Sequence, residues 1–312
     1  MNPRLMPHRP PQPGLVMALV WMVGYWTFTQ LPGGGIALVW ALVALFTTRA
    51  TPEQWERWAE HPLEIEGLGT GLLVGLGIAQ VLAVIYAWIL LRNLVGKNWR
   101  QRIGLEGRVR PGHLIATLLL VPGMVLAANA LVALAPKPEM DPAPAMAGLQ
   151  VGRQVLEDFS KLLASWPSWA ALLVVAVGPA LAEELFCRGF LGHGLVGRHG
   201  VAKGVLWTSI LFGVMHLVPV QAVYAAMLGL VLHGLRLGTR SLWAPMLAHF
   251  GNNALSVLGA CDDSPIKQPL MDVDQWVQGN PLMALALGGG ICLAVLVYVG
   301  GGRLQGGSPE LR

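Results

Sequence analysis

Two adjacent glutamates, Glu183 and Glu184, with Arg188 four residues past the second, interrupt the otherwise oily stretch AEELFCRGFL at residues 182–191. A charge in hydrocarbon costs at least ~2.5 kcal/mol even on a lenient scale, so these groups need partners. At helical spacing Glu184 and Arg188 share a face and can pair, while Glu183 is rotated by about 100° and is left for something else. Two later apolar stretches each carry polar groups at the same spacing: Phe212 and His216 in LFGVMHLVPV, and His249 and Asn253 in APMLAHFGNNAL. Polar side chains in lipid turn inward, so one wet cavity in which the three clusters meet is the economical arrangement. A carboxylate, two imidazoles and an amide can activate water and stabilise an oxyanion, or can hold a metal. Spacing alone does not decide between these chemistries.

The elements that position these groups are membrane helices. The 312 residues are 54% hydrophobic and 12% charged, whereas soluble domains are about a quarter charged. Windows long and apolar enough to cross a bilayer run over residues 14–31, 69–91, 113–134, 169–186 and 281–299. Three less uniform candidates, 204–217, 220–235 and 242–258, each carry a polar residue. A shorter apolar piece at 36–46, after Gly33, Gly34 and Gly35, reads as a re-entrant hairpin partner or a short span. The fold class is therefore all-α, a polytopic bundle of eight or nine transmembrane helices around a polar cavity. Residues 1–13, rich in proline, form a tail ahead of a retained first helix, with no small-residue cleavage site after it. Just upstream of the glutamates, Pro179 removes a helical hydrogen bond to the carbonyl four residues back and predicts a kink there.

Orientation follows from Lys and Arg in short loops. Residues 92–110 hold Arg92, Lys97, Arg100, Arg102, Arg108 and Arg110, which assigns this loop to the cytoplasmic side. Alternation then puts Arg198, Lys203, Arg236, Arg240, Arg303 and Arg312 inside, and the segment from Lys137 to Lys161 and the acids Asp262 and Asp263 outside. The basic residues Arg4 and Arg9 favour an inside N-terminus, which requires residues 14–46 to cross only once. The glutamates, at the end of the 169–186 window, then fall near the cytoplasmic face. The net charge of +4 is explained by this topology without a nucleic-acid partner. The stretch at 135–148 reads as a proline-rich linker. Beyond it, Val151, Val155, Leu156, Phe159, Leu162 and Leu163 recur at helical spacing, as in an interfacial amphipathic helix or a lead into the next span. Cys187, Cys261 and Cys292 form no CxxC pair and read as small buried residues.

The pattern EExxxR, FxxxH and HxxxN on successive apolar helices resembles the CPBP family of intramembrane proteases. That family contains the type II CAAX prenyl endopeptidases and bacteriocin-processing or immunity proteins. The motifs stand here as Glu183, Glu184 and Arg188; Phe212 and His216; and His249 and Asn253. The resemblance implies a helical bundle around a cavity reached from the cytoplasmic side and the bilayer, and hydrolysis of peptide bonds. It implies Glu183 as general base with His216 orienting and deprotonating the water, His249 and Asn253 stabilising the oxyanion, Glu184 and Arg188 as supporting pair, and Phe212 as packing beneath them. Family members are also described as metalloproteases, for which Zn²⁺ would be held by Glu183, His216 and His249. No HExxH is present, and the favoured reading requires no cofactor, with Zn²⁺ as the alternative. The family-like core spans residues 112–260, after N-terminal helices at 14–111 and before a last helix and tail at 261–312.

Simpler roles fit the remaining groups. His233 reads as packing, His193 and His199 as solvated in a Gly-rich loop, and Trp207 and Trp243 as interface anchors. Pro245 stands where it would kink its helix or occupy a permissive first turn. A transporter could use the same polar groups, but no paired half-helices or repeated halves occur. A non-catalytic scaffold or immunity protein is the other alternative. The expected partners are the bilayer and a membrane-embedded or lipid-anchored protein or peptide substrate, with no nucleic acid, and the expected location is a bacterial inner membrane.

Overall fold

The computed structural model describes residues 13–48, 50–60, 65, 67–134 and 144–301, and among these the chain is helical without a strand. The helices are α1 (Leu15–Thr47), α2 (Pro52–Glu60), α3 (Leu68–Val95), α4 (Trp99–Arg102), α5 (Pro111–Leu134), α6 (Pro144–Ser165), α7 (Ser168–His199), α8 (Val201–Val214), α9 (Pro219–Thr239), α10 (Trp243–Ala260), α11 (Lys267–Gly279) and α12 (Pro281–Gly301). Six of them, α1, α3, α5, α7, α9 and α12, are long and apolar enough to cross a membrane. Two shorter ones, α8 with 14 residues and α10 with 18, carry the histidine motifs between them. The polytopic helical bundle expected from composition is thus present, but six helices among the described residues, not eight or nine, are long and apolar enough to span, with α8 a shorter apolar helix beside them.

Two boundaries differ from the sequence reading. Residues 36–46 are neither a re-entrant partner nor a separate span, because α1 continues through Pro32 and the three glycines as one helix of 33 residues. The glycines are tolerated because one of them is a contact surface: a Cβ on Gly33 or on Gly75 would run into the other's backbone carbonyl, so only glycine permits this approach of α1 to α3. The second difference concerns the site. The helix expected to end near Phe186 runs on to His199, so the glutamates lie midway along its 32 residues and not near its C-terminal end. The charge of Arg188 is matched within the helix by Glu184, and the turn comes at Gly200, where φ is +79°.

Alternation is supported by contacts at the helix ends. A Cβ on Gly14, before α1, would touch the Arg198 guanidinium at the end of α7. The Leu242 N–H donates to the Gly104 carbonyl, tying the α9–α10 turn to the basic loop. At the opposite end the Ser168 N–H donates to Asp263. The three amphipathic helices α2, α6 and α11 all lie in connections on that opposite side. Of the two expectations for residues 149–166, the separate helix holds: α6 ends before Pro167, and its Leu162 and Leu163, with Trp166, are buried with Val257 and Cys261. The expected tail at 1–13 lies almost wholly outside the described residues, as do Lys137 and the rest of 135–143, Arg303 and Arg312. From Pro144 onward the expected linker is already helix. All three cysteines are buried and free.

Candidate active site

The first partner of the site is created by a missing one. Pro179 has no N–H to return to the Val175 carbonyl, and the chain from Leu172 to Val177 widens into π-helical turns. The side-chain amide of Asn253, on α10, donates to that carbonyl at 3.1 Å. Asn252 donates to Asn253 Oδ1 at 3.2 Å and accepts from the Tyr224 hydroxyl of α9 at 2.7 Å. A relay from α9 through α10 to α7 therefore holds Asn253. Its amide is committed first to backbone, and one N–H remains for another acceptor. Asn252 and Tyr224 were not singled out from the sequence; the doubled asparagine was the available signal.

Glu184 is the hub of the charged groups. One of its oxygens, Oε1, accepts from Arg188 Nη1 at 2.6 Å and contacts His249 Nδ1 at 2.9 Å. The carboxylate and the guanidinium are both fully buried. Arg188 Nη2 also donates to the Gly229 carbonyl of α9, at 3.3 Å. With Nδ1 held by Glu184, His249 turns Nε2 toward Glu183, whose Oε2 is 4.0 Å away. Glu183 is the more open of the two acids, its side chain 19% exposed, and its Oε2 has no hydrogen-bond partner. The pair expected between Glu184 and Arg188 is present, and Glu184 in addition orients His249, which i,i+4 spacing within one helix could not reveal.

Phe212 packs under all of this. Its ring lies 4.2 Å from the Arg188 guanidinium carbon, in cation–π geometry, and edge-on to both His216 at 5.0 Å and His249 at 5.9 Å between centroids. His216 stands in the turn two residues past α8, its Nδ1 2.9 Å from the Phe212 carbonyl, which leaves Nε2 as the free nitrogen. The next residue, Leu217, has φ +57° and is 63% exposed. A left-handed leucine costs roughly 1–2 kcal/mol, and such strain collects where function requires a fixed geometry. The structure therefore gathers Glu183, Glu184, Arg188, Phe212 and His249, joins His216 to them through Phe212, and reaches Asn253 through the α7 backbone.

Whether these residues fit a metal is decided by convergence of donors. Among the described residues no group of three or more His, Cys, Asp or Glu side chains is arranged to hold one, so Glu183, His216 and His249 do not form a ligand set. Among the other histidines, His233 is buried with its ring against Gly192, as a packing residue. His193 differs from expectation: it is half-buried within α7 and not in a solvated loop. His199 is exposed, as are Trp207 and Trp243. Pro245 occupies the first turn of α10.

Residues 165–255 match the family model described as Rce1-like type II CAAX prenyl endopeptidase, consistent with a CPBP-family protease. The match contains every motif residue and leaves α1–α5 outside. At the level of that family it supports a CAAX-type intramembrane protease. No curated protein and no solved structure matches the chain.

Proposed function

We propose that this protein is an intramembrane endopeptidase that hydrolyses peptide bonds of membrane-embedded or lipid-anchored proteins or peptides by general-base catalysis. The observation that carries the reading is the shared oxygen of Glu184. By holding Arg188 and His249 Nδ1 together, it aims His249 Nε2 at the unpartnered oxygen of Glu183. Water between them would give a proton to Glu183 while its oxygen attacks the scissile carbonyl. His216, with Nε2 free, is suited to accept a hydrogen bond from the same water. The tetrahedral oxyanion would be met by His249 Nε2 when the ring carries both protons, and by the remaining N–H of Asn253. Glu183 then returns its proton to the leaving amine as the C–N bond breaks.

The physiological substrate belongs to this proposal at the level of class only: a peptide segment that can enter a cavity at mid-depth of the bundle. The orientation proposed has the basic loop at 92–110 on the cytoplasmic side of an inner membrane. The test is cleavage of a peptide library by the reconstituted protein, compared with Glu183→Gln, which keeps shape and removes the base. Cleavage slower by at least about a hundredfold in a folded variant is expected, the scale of general-base catalysis. Undiminished cleavage would remove Glu183 from the mechanism. Chelation is expected to leave the rate unchanged, and stoichiometric zinc that disappears with His216→Ala or His249→Ala would overturn the metal-free route.

A further inference from the structure

Helix α1 lies outside the segment that matches the family model, yet two of its side chains reach the site. Trp26 donates its indole N–H to the carbonyl of Met215 at 3.0 Å, one residue before His216. Its neighbour Tyr25 stacks on Phe186, with ring centroids 4.5 Å apart and planes within 22°. Glu183, Phe186 and Cys187 are i, i+3 and i+4 on α7, so a ring on Phe186 covers the face that Glu183 occupies. The Tyr25 ring thereby lies over the α7 turn that begins at Glu183. Tyr86 meets the same ring edge-on at 6.0 Å, and Tyr25 is clamped to 4% exposure. Buried tyrosine hydroxyls usually find a partner. Among the described residues this one makes no hydrogen bond, and on the face its ring covers, Glu183 Oε2 also lacks a partner. A donor and an acceptor left open on one small polar face are the two contacts that a fixed water requires.

We propose that Tyr25 is a positioning residue for hydrolysis, its O–H donating to one lone pair of the water whose proton Glu183 removes. The second lone pair is thereby directed at the scissile carbonyl. The phenol keeps its proton throughout, so the balance of the step is unchanged: water to Glu183, then Glu183 to the leaving amine. This role rests on the general-base reading of Glu183, and it makes α1 a working part of the site.

Tyr25→Phe keeps the ring, its stack on Phe186 and its contact with Tyr86, and deletes only the hydroxyl. In the reconstituted full chain the variant should lose on the order of tenfold to a hundredfold in kcat with KM and thermal midpoint unchanged, as expected for a contact made to the reacting water. Combined with Glu183→Gln it should cost little more than Glu183→Gln alone, because both act on one water. A purely packing tyrosine would leave kcat at the parent value, and that result overturns the proposal. A second readout needs no turnover: with 3-fluorotyrosine at position 25, the fluorine resonance should move when Glu183 is changed to Gln. A resonance that stays in place overturns the placement of the hydroxyl. If the parent cleaves nothing, the general-base reading fails, and a moving resonance still supports the Tyr25–Glu183 contact by itself.

Discussion

Glu184 and Glu183 are neighbours with opposite situations, and the difference sets what each substitution should do. Glu184 and Arg188 are fully buried and paired, so removing one partner leaves an uncompensated charge. Arg188→Ala should therefore lower stability by about 3–5 kcal/mol, read as reduced folded yield in detergent along with reduced activity. A stable but inactive variant would instead assign Arg188 to substrate binding. His249→Ala leaves Glu183 in place and deletes the proposed oxyanion donor, and a loss on the order of a hundred- to a thousandfold in kcat is expected for one such group. Leu217 offers the reverse test. Leu217→Gly removes the left-handed penalty of roughly 1–2 kcal/mol while loosening the turn that holds His216. The thermal midpoint should hold or rise while kcat falls; a variant with lower stability would show that leucine is not strained there.

At the scale of elements, the site depends on how α1 and α3 approach each other. Gly33 and Gly75 let the two backbones touch, and that distance sets where Tyr25 and Trp26 stand relative to α7 and α8. Gly75→Val should push α1 outward, lowering the thermal midpoint and, through Trp26 and Tyr25, the activity. Loss of stability with full activity would detach α1 from the site. The π-helical turns of α7 belong to the same scale: they absorb Pro179 without a break, and Asn253 takes up the carbonyl that proline leaves. Sequence reasoning anticipates the orphaned carbonyl from Pro179, but not its partner, which comes from a helix more than seventy residues away.

For the whole molecule, alternation places the amphipathic connections on one side and the basic loop at 92–110 on the other. A reporter active only outside the membrane should be silent after Arg102 and active after Met146, and the opposite pair of signals would invert the orientation. The contact of Gly14 with Arg198 supports a first helix that crosses once, since both ends then lie on one side. The N-terminal helices, although they show no motif, pack against Phe186 of α7 and the Met215 carbonyl beside α8 through Tyr25, Tyr86 and Trp26.

What the sequence determined by itself was whatever follows from composition and helical period. Apolar windows specify the all-α membrane bundle, because backbone groups in lipid must be satisfied within each segment. The rarity of charge in those windows picks out Glu183, Glu184 and Arg188, and i,i+4 spacing pairs the last two. Tertiary structure decided the relations between helices. It joined His249 to Glu184, Asn253 to Val175, Phe212 to three site residues and Tyr25 to Phe186. It also decided where helices end: α1 runs through three glycines and α7 past Arg188, because a packed neighbour and a buried counter-charge remove the reasons for stopping. These contacts join residues far apart in the chain, and periodicity within one helix carries no information about which neighbour its face will meet.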